Sequence, residues 1–365
     1  MFCPKCGSTI PEGSNFCPGC GWKVGSRLNT HNSGNVATRV AQGFANKVNQ
    51  ATGYNDVVEL KVKDFFSDVF KRHTHEDVER LFACGSPETT PPLAEVTATW
   101  PKPWAYARVF VVLLVALLMS LAGVLQFQNE KCWPAVFILS AAVVNVSAVV
   151  FFFEANIVRN ISIADVLCIL LVGGIASILV VLVNPISHVS GSGSLVPALL
   201  TGFTEELAKA LITAYFLNRM KDKRYILNGL LIGAAVGGGF ALFETSGYVY
   251  NAATVAVADM LDTVVMRALL AIGGHVAWAA AEGGALALCN GTGEFSWKNL
   301  VDKRFLSIFA ICIVLHGLWD SLIAVLFYPW PYLVFILAIW IVLMVLLHRG
   351  VSQINVLAKQ VANQR

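Results

Sequence analysis

The residues of this chain with the types and spacing for chemistry fall in four short runs. TGFTEELAKAL carries Glu205, Glu206 and Lys209; GFALFET carries Glu244; GGHVAW carries His275; and LHGLWDS carries His316 and Asp320. Glu205 and Lys209 stand four apart, as do His316 and Asp320, so each pair shares one face if its run is helical. Two imidazoles, several carboxylates and one ammonium suit a water-activating site: a carboxylate or His acts as base, and the others serve as metal ligands or oxyanion partners.

These runs lie in an unusually apolar chain. Of its 365 residues, 56% are hydrophobic and 13% charged, where a soluble domain carries about 25% charged residues. That excludes an ordinary soluble enzyme, a disordered chain and a nucleic-acid binder. The net charge of +3 implies no strongly charged partner. About 20 apolar residues cross a bilayer as a helix, and such runs occur near 106–127, 132–153, 163–183, 195–217, 226–249, 263–289, 305–327 and 332–348. An all-α membrane protein of about eight spans is therefore expected. Lys and Arg cluster after the second, fourth, sixth and eighth runs and beside the start of the first, which predicts cytoplasmic termini. Arg267 reads as a charge at a span edge. Gly229, Gly233 and Gly237 form a small-xxx-small row for close helix packing.

Ionisable residues inside spans are costly and point to function. At 1.5 Å per residue, counted from the outer end of each run, Glu205 lies about 15 Å deep, His316 about 16 Å, His275 about 18 Å, Asp320 about 10 Å and Glu244 about 8 Å. They fall in one band between mid-membrane and the outer leaflet. Glu282 lies about 10 Å beyond His275 and reads as outside the group. Buried ion pairs that fix packing, and an ion or proton pathway in a transporter, are the competing readings.

The head of the chain has a different chemistry. Cys3-x2-Cys6 and Cys17-x2-Cys20 each sit in a C-P-x-C-G knuckle, and two such turns supply four thiolates for tetrahedral, structural zinc. Residues 1–25 therefore read as a zinc ribbon whose folding energy comes from the metal. No export signal precedes them, which disfavours disulfides. Residues 26–104 read as a cytosolic linker with an amphipathic helical stretch over 56–83 and a Pro-rich extended tether over 85–104. Residues 105–349 form the membrane domain and 350–365 a cytosolic tail. His73 and His75 read as a solvated face. Cys84, Cys132, Cys168, Cys289 and Cys312 read as small hydrophobes.

Glu205-Glu206-x-x-Lys209, Phe240-x-x-x-Glu244, His275 and His316-x-x-x-Asp320, in this order on four successive spans, resemble the PrsW family of intramembrane proteases. The resemblance covers roughly 105–345. It implies that Glu205 and Glu206 are essential and that Glu244, His275, His316 and Asp320 line the site. It also implies an inner (cytoplasmic) membrane location and a membrane-protein substrate of the single-span, anti-sigma-factor class. A catalytic divalent metal on Glu206, Glu244, His275 and His316 is one expectation. The H-E-x-x-H pattern of zinc peptidases is absent, so a metal-free glutamate mechanism stands beside it. The lipid bilayer is the remaining partner, and what the ribbon binds is not implied.

Overall fold

The computed structural model describes residues 36–183, 194–291 and 293–363. Among these residues it is all-helical, without strands. Cys3, Cys6, Cys17 and Cys20 lie outside them.

The membrane-length helices are α3 (Ala105–Leu125), α4 (Trp133–Ala155), α5 (Ile163–Val183), α6 (Leu195–Arg219), α7 (Ile226–Val255), α8 (Val257–Leu270) with α9 (His275–Cys289), α10 (Lys303–Trp319) with the short α11 (Leu322–Leu326), and α12 (Trp330–Ala362). They match the eight apolar runs. Six of these segments are long and apolar enough to cross a membrane. The other two are α6, interrupted by Glu205, Glu206 and Lys209, and α10, with 17 residues.

The bundle is built around α7, whose residues from Ile226 to Ala241 are all buried. Its glycine row permits this. A Cβ on Gly233 would stand 2.0 Å from the Ala279 carbonyl oxygen, and one on Gly237 would stand 2.2 Å from that of His275. Only a bare backbone lets α7 and α9 approach so closely. At the periphery, α3 leans on α4 and leaves Val112, Leu118 and Met119 exposed. Its start is capped from the neighbouring helix: the Glu154 carboxylate accepts the backbone N–H groups of Trp104, Ala105 and Tyr106 at 2.8–2.9 Å. Those are the donors that a helix N-terminus leaves unpaired.

Two expected continuous spans are broken. The sixth divides at a 3-10 turn, Ala271–Gly273, so that His275 is the first residue of α9. The seventh ends at Trp319, with Asp320 as C-cap. Both breaks fall beside the ionisable residues.

The segment before α3 also differs from expectation. Residues 36–51, read as linker, form helix α1 (Val36–Ala51). Ala45, Val48 and Asn49, at helical spacing, are buried against the bundle, a contact that the short pattern alone did not reveal. The amphipathic stretch gives a 3-10 turn at Val62–Phe66 and helix α2 (His75–Phe82). The Pro-rich tether is packed rather than free: Val96 is buried and Trp100 stacks on Phe65 at 5.7 Å.

Candidate active site

The polar residues of α6, α7, α9 and α10 meet inside the bundle. Glu205, Glu206 and Lys209 follow one another along α6 and are buried. Lys209 Nζ donates to Glu206 Oε1 at 2.6 Å, and His316 Nδ1 donates to the same oxygen at 2.6 Å. With Nδ1–H held by a carboxylate, His316 turns Nε2 towards Glu205 Oε2 at 3.8 Å and Asp320 Oδ2 at 3.4 Å. A second relay mirrors this one. Arg267 Nη2 donates to Glu244 Oε1 at 3.1 Å, and Glu244 Oε2 lies 2.7 Å from His275 Nε2. The other ring nitrogen of His275 accepts from Lys209 at 2.8 Å and lies 3.9 Å from Glu205 Oε2. Two cation–carboxylate–imidazole relays thus converge on Glu205.

Aromatic walls hold the imidazoles. Trp278 stacks on His316 with centroids 4.4 Å apart, and Phe240 stacks on His275 at 5.7 Å. Lys209 Nζ stands 4.6 Å above the Phe240 ring, so its ammonium is held by the ring face as well as by Glu206.

Arg267, expected at a span edge, lies inside the site; the tight α7–α9 pairing continues into α8 and sets it beside Glu244 and Thr245. Glu282, read as outside the group, lies wholly buried, its carboxyl against that of Glu206 and near Lys209. Seven residues from His275, it shares that face of α9 two turns further along, where Glu206 of α6 meets it. Asn145 of α4 lies beside the same cluster. His73 and His75 remain outside, the first stacked on Trp104 at 3.8 Å and the second paired with Glu79. The other Cys residues are unpaired thiols.

A cavity of about 290 Å³ opens onto this cluster, lined among others by Asn145, Glu244, Arg267, His275, His316 and Asp320. Glu205, His275 and His316 can offer one ligand atom each within 4.8 Å of one another. Three observations fit a divalent cation there. Two His and one carboxylate form a frequent catalytic zinc set. Glu205 Oε2 is buried with no hydrogen-bond partner. Five acidic side chains (Glu205, Glu206, Glu244, Glu282 and Asp320) stand in or beside the site with two permanent cations, Lys209 and Arg267, among the described residues, and a divalent cation would offset that excess.

Fold and site together define a polytopic membrane protein with a cluster of ionisable side chains inside its helix bundle. Residues 161–347 match the model of the PrsW family of intramembrane metalloproteases. The chain belongs to that family and is a membrane-embedded hydrolase. Residues 2–23 match the zinc-ribbon domain model, which spans all four knuckle cysteines. No curated protein and no solved structure matches the chain.

Proposed function

We propose that this chain cleaves a single-span regulatory membrane protein within the bilayer, using Glu205 to activate water. The observation that carries the reading is the convergence of His275 and His316 on Glu205 Oε2, at 3.9 and 3.8 Å. Glu206 takes a supporting role. Its Oε1 already accepts from Lys209 and His316, and its side chain has no exposed surface from which to meet water. It fixes the His316 tautomer, as carboxylates behind metal-binding imidazoles do. Glu244, tied to Arg267, does the same for His275.

Glu205, His275 and His316 would hold the divalent cation, which supplies Lewis acidity when bound. Glu205 Oε2, left without a donor, is the oxygen placed either to complete that ligand set or to take the proton of water, and the two roles exclude each other. Asp320, half-exposed to the cavity, lies 3.4 Å from His316 Nε2, beside the space the reacting group would occupy. The aromatic rings of Trp278 and Phe240 exclude bulk water and strengthen these polar contacts. The Lys and Arg distribution supports cytoplasmic termini. On that reading the zinc ribbon faces the cytosol, where it is available to a partner.

Cleavage of single-span reporter proteins in membranes tests this function. Glu205→Gln and His316→Ala should each abolish it. Full cleavage by both variants would sink the assignment, and proton or solute flux lost without any cleavage would point to transport.

A further inference from the structure

A peptide bond inside a transmembrane helix is unavailable to a nucleophile, because its N–H and C=O are engaged in the helix. A substrate held at this site must unwind locally. Its freed main-chain groups then need partners, since each unsatisfied one costs several kcal/mol in an apolar setting. The cavity supplies one donor and one acceptor that the relays do not use. Arg267 directs Nε to Thr245 Oγ1 at 3.0 Å and Nη2 to Glu244 Oε1 at 3.1 Å, while Nη1 makes no hydrogen bond among the described residues. Asn145 is 3% exposed, and its Nδ2 donates to the Ala141 carbonyl at 2.8 Å. That bond fixes the amide orientation and leaves Oδ1 without a partner among the described residues. Both side chains line the cavity beside His275 and His316.

Charge selects the class of ligand. The Arg267 charge is already matched by Glu244, and Asp320 adds a further carboxylate to the wall. An anionic group would be repelled, whereas a neutral amide meets a donor on α8 and an acceptor on α4. We infer that Asn145 and Arg267 form the main-chain-binding subsite for an unwound, extended stretch of substrate: Oδ1 of Asn145 accepts a peptide N–H, and Nη1 of Arg267 donates to a peptide carbonyl. This rests on the protease reading above.

The test uses the full chain and, from a panel of reporters carrying one apolar span of about 20 residues, one that the wild type cleaves. Asn145→Leu removes the acceptor at nearly constant volume. Arg267→Lys keeps the charge beside Glu244 but loses the guanidinium fork. Each variant should raise KM by about 5–10-fold, the worth of one peptide hydrogen bond; kcat should be nearly held in Asn145→Leu, whereas in Arg267→Lys, which also loosens the hold on Glu244, KM alone is the readout. Unfolding is monitored by thermal melting; if Arg267→Lys melts out, Asn145→Leu decides alone. An unchanged KM in folded variants, or a fall in kcat alone, overturns the inference. A Glu205→Gln control separates the two levels. Cleavage abolished by Glu205→Gln beside an unchanged KM in Asn145→Leu and Arg267→Lys removes only the subsite. Cleavage that survives Glu205→Gln, or no reporter cleaved by the wild type, removes the protease reading and this inference with it.

Discussion

Glu206 and His316, 110 residues apart, meet at 2.6 Å between Oε1 and Nδ1. The contact joins α6 to α10 and turns the free ring nitrogen of His316 towards Glu205 and Asp320. It is the geometry of a carboxylate that orients an imidazole for another partner.

Separate roles for the two neighbouring glutamates follow. Glu206→Gln should lower cleavage and metal affinity by about 10–100-fold, as loss of an orienting carboxylate does. Glu205→Gln should abolish cleavage. Metal analysis of the purified Glu205→Gln chain then divides its two roles: lost metal marks a ligand, retained metal a base.

Metal content should reflect two sites. The intact chain should carry about two equivalents, and either Cys3→Ser with Cys17→Ser or His275→Ala with His316→Ala should leave about one. Retention of both equivalents by the double-His variant would place the second metal elsewhere.

The α7–α9 approach should be sensitive to one methyl group. Gly237→Ala sets a Cβ against the His275 carbonyl, at a cost of about 1–3 kcal/mol. Displacement of His275 should also reduce kcat by about 10–100-fold. Gly247, where a Cβ meets nothing within 4 Å, is the control, and equal effects at both positions would refute close packing as the cause.

Glu282 should prefer an amide to an apolar replacement. Glu282→Gln keeps an N–H donor against the neighbouring carboxylate of Glu206 and should melt no lower than the wild type. Glu282→Ala opens a cavity and should cost about 2–4 kcal/mol. Thermal melts of the two variants decide the matter.

The segment before α3 is pinned by Arg349, which donates to Asn49 at 2.7 Å and to Asp56, and lies over the Tyr54 ring. Burial would raise the Asp56 carboxyl, but the Arg349 bond and charge outweigh it and hold the group below its usual 3.8. A depressed folded-state pKa stabilises above the unfolded value and ceases to do so as pH falls through the folded one. The clamp should therefore hold at neutral pH and weaken below about pH 4. Arg349→Leu should cost about 2–3 kcal/mol and expose residues 36–60 to limited proteolysis at neutral pH; unchanged protection would show that other contacts hold α1.

The cluster of Glu205, Glu206, Glu244, His275, His316 and Asp320 was legible because an ionisable residue in an apolar run is rare, and counting 1.5 Å steps sets its depth. Asn145 and Arg267 were not, because one polar side chain in a span, or one cation near its edge, carries no sign of what it faces. Glu282 was set apart on depth alone, although its seven-residue spacing from His275 puts both on one face of α9; that it meets Glu206 there depends on how α6 packs against that face. Helix α1 was hidden because its apolar face is narrow and becomes stable only against α10 and α12.

By itself, then, the sequence determined the membrane class, the order of spans, the ribbon knuckles and the residues able to do chemistry. These follow from composition and local spacing. The tertiary structure alone decided which nitrogen of each imidazole meets which carboxylate, where two spans break, and which further side chains enter the cavity. Those outcomes depend on the rotation of helices distant in sequence, set by how closely glycine lets their backbones approach.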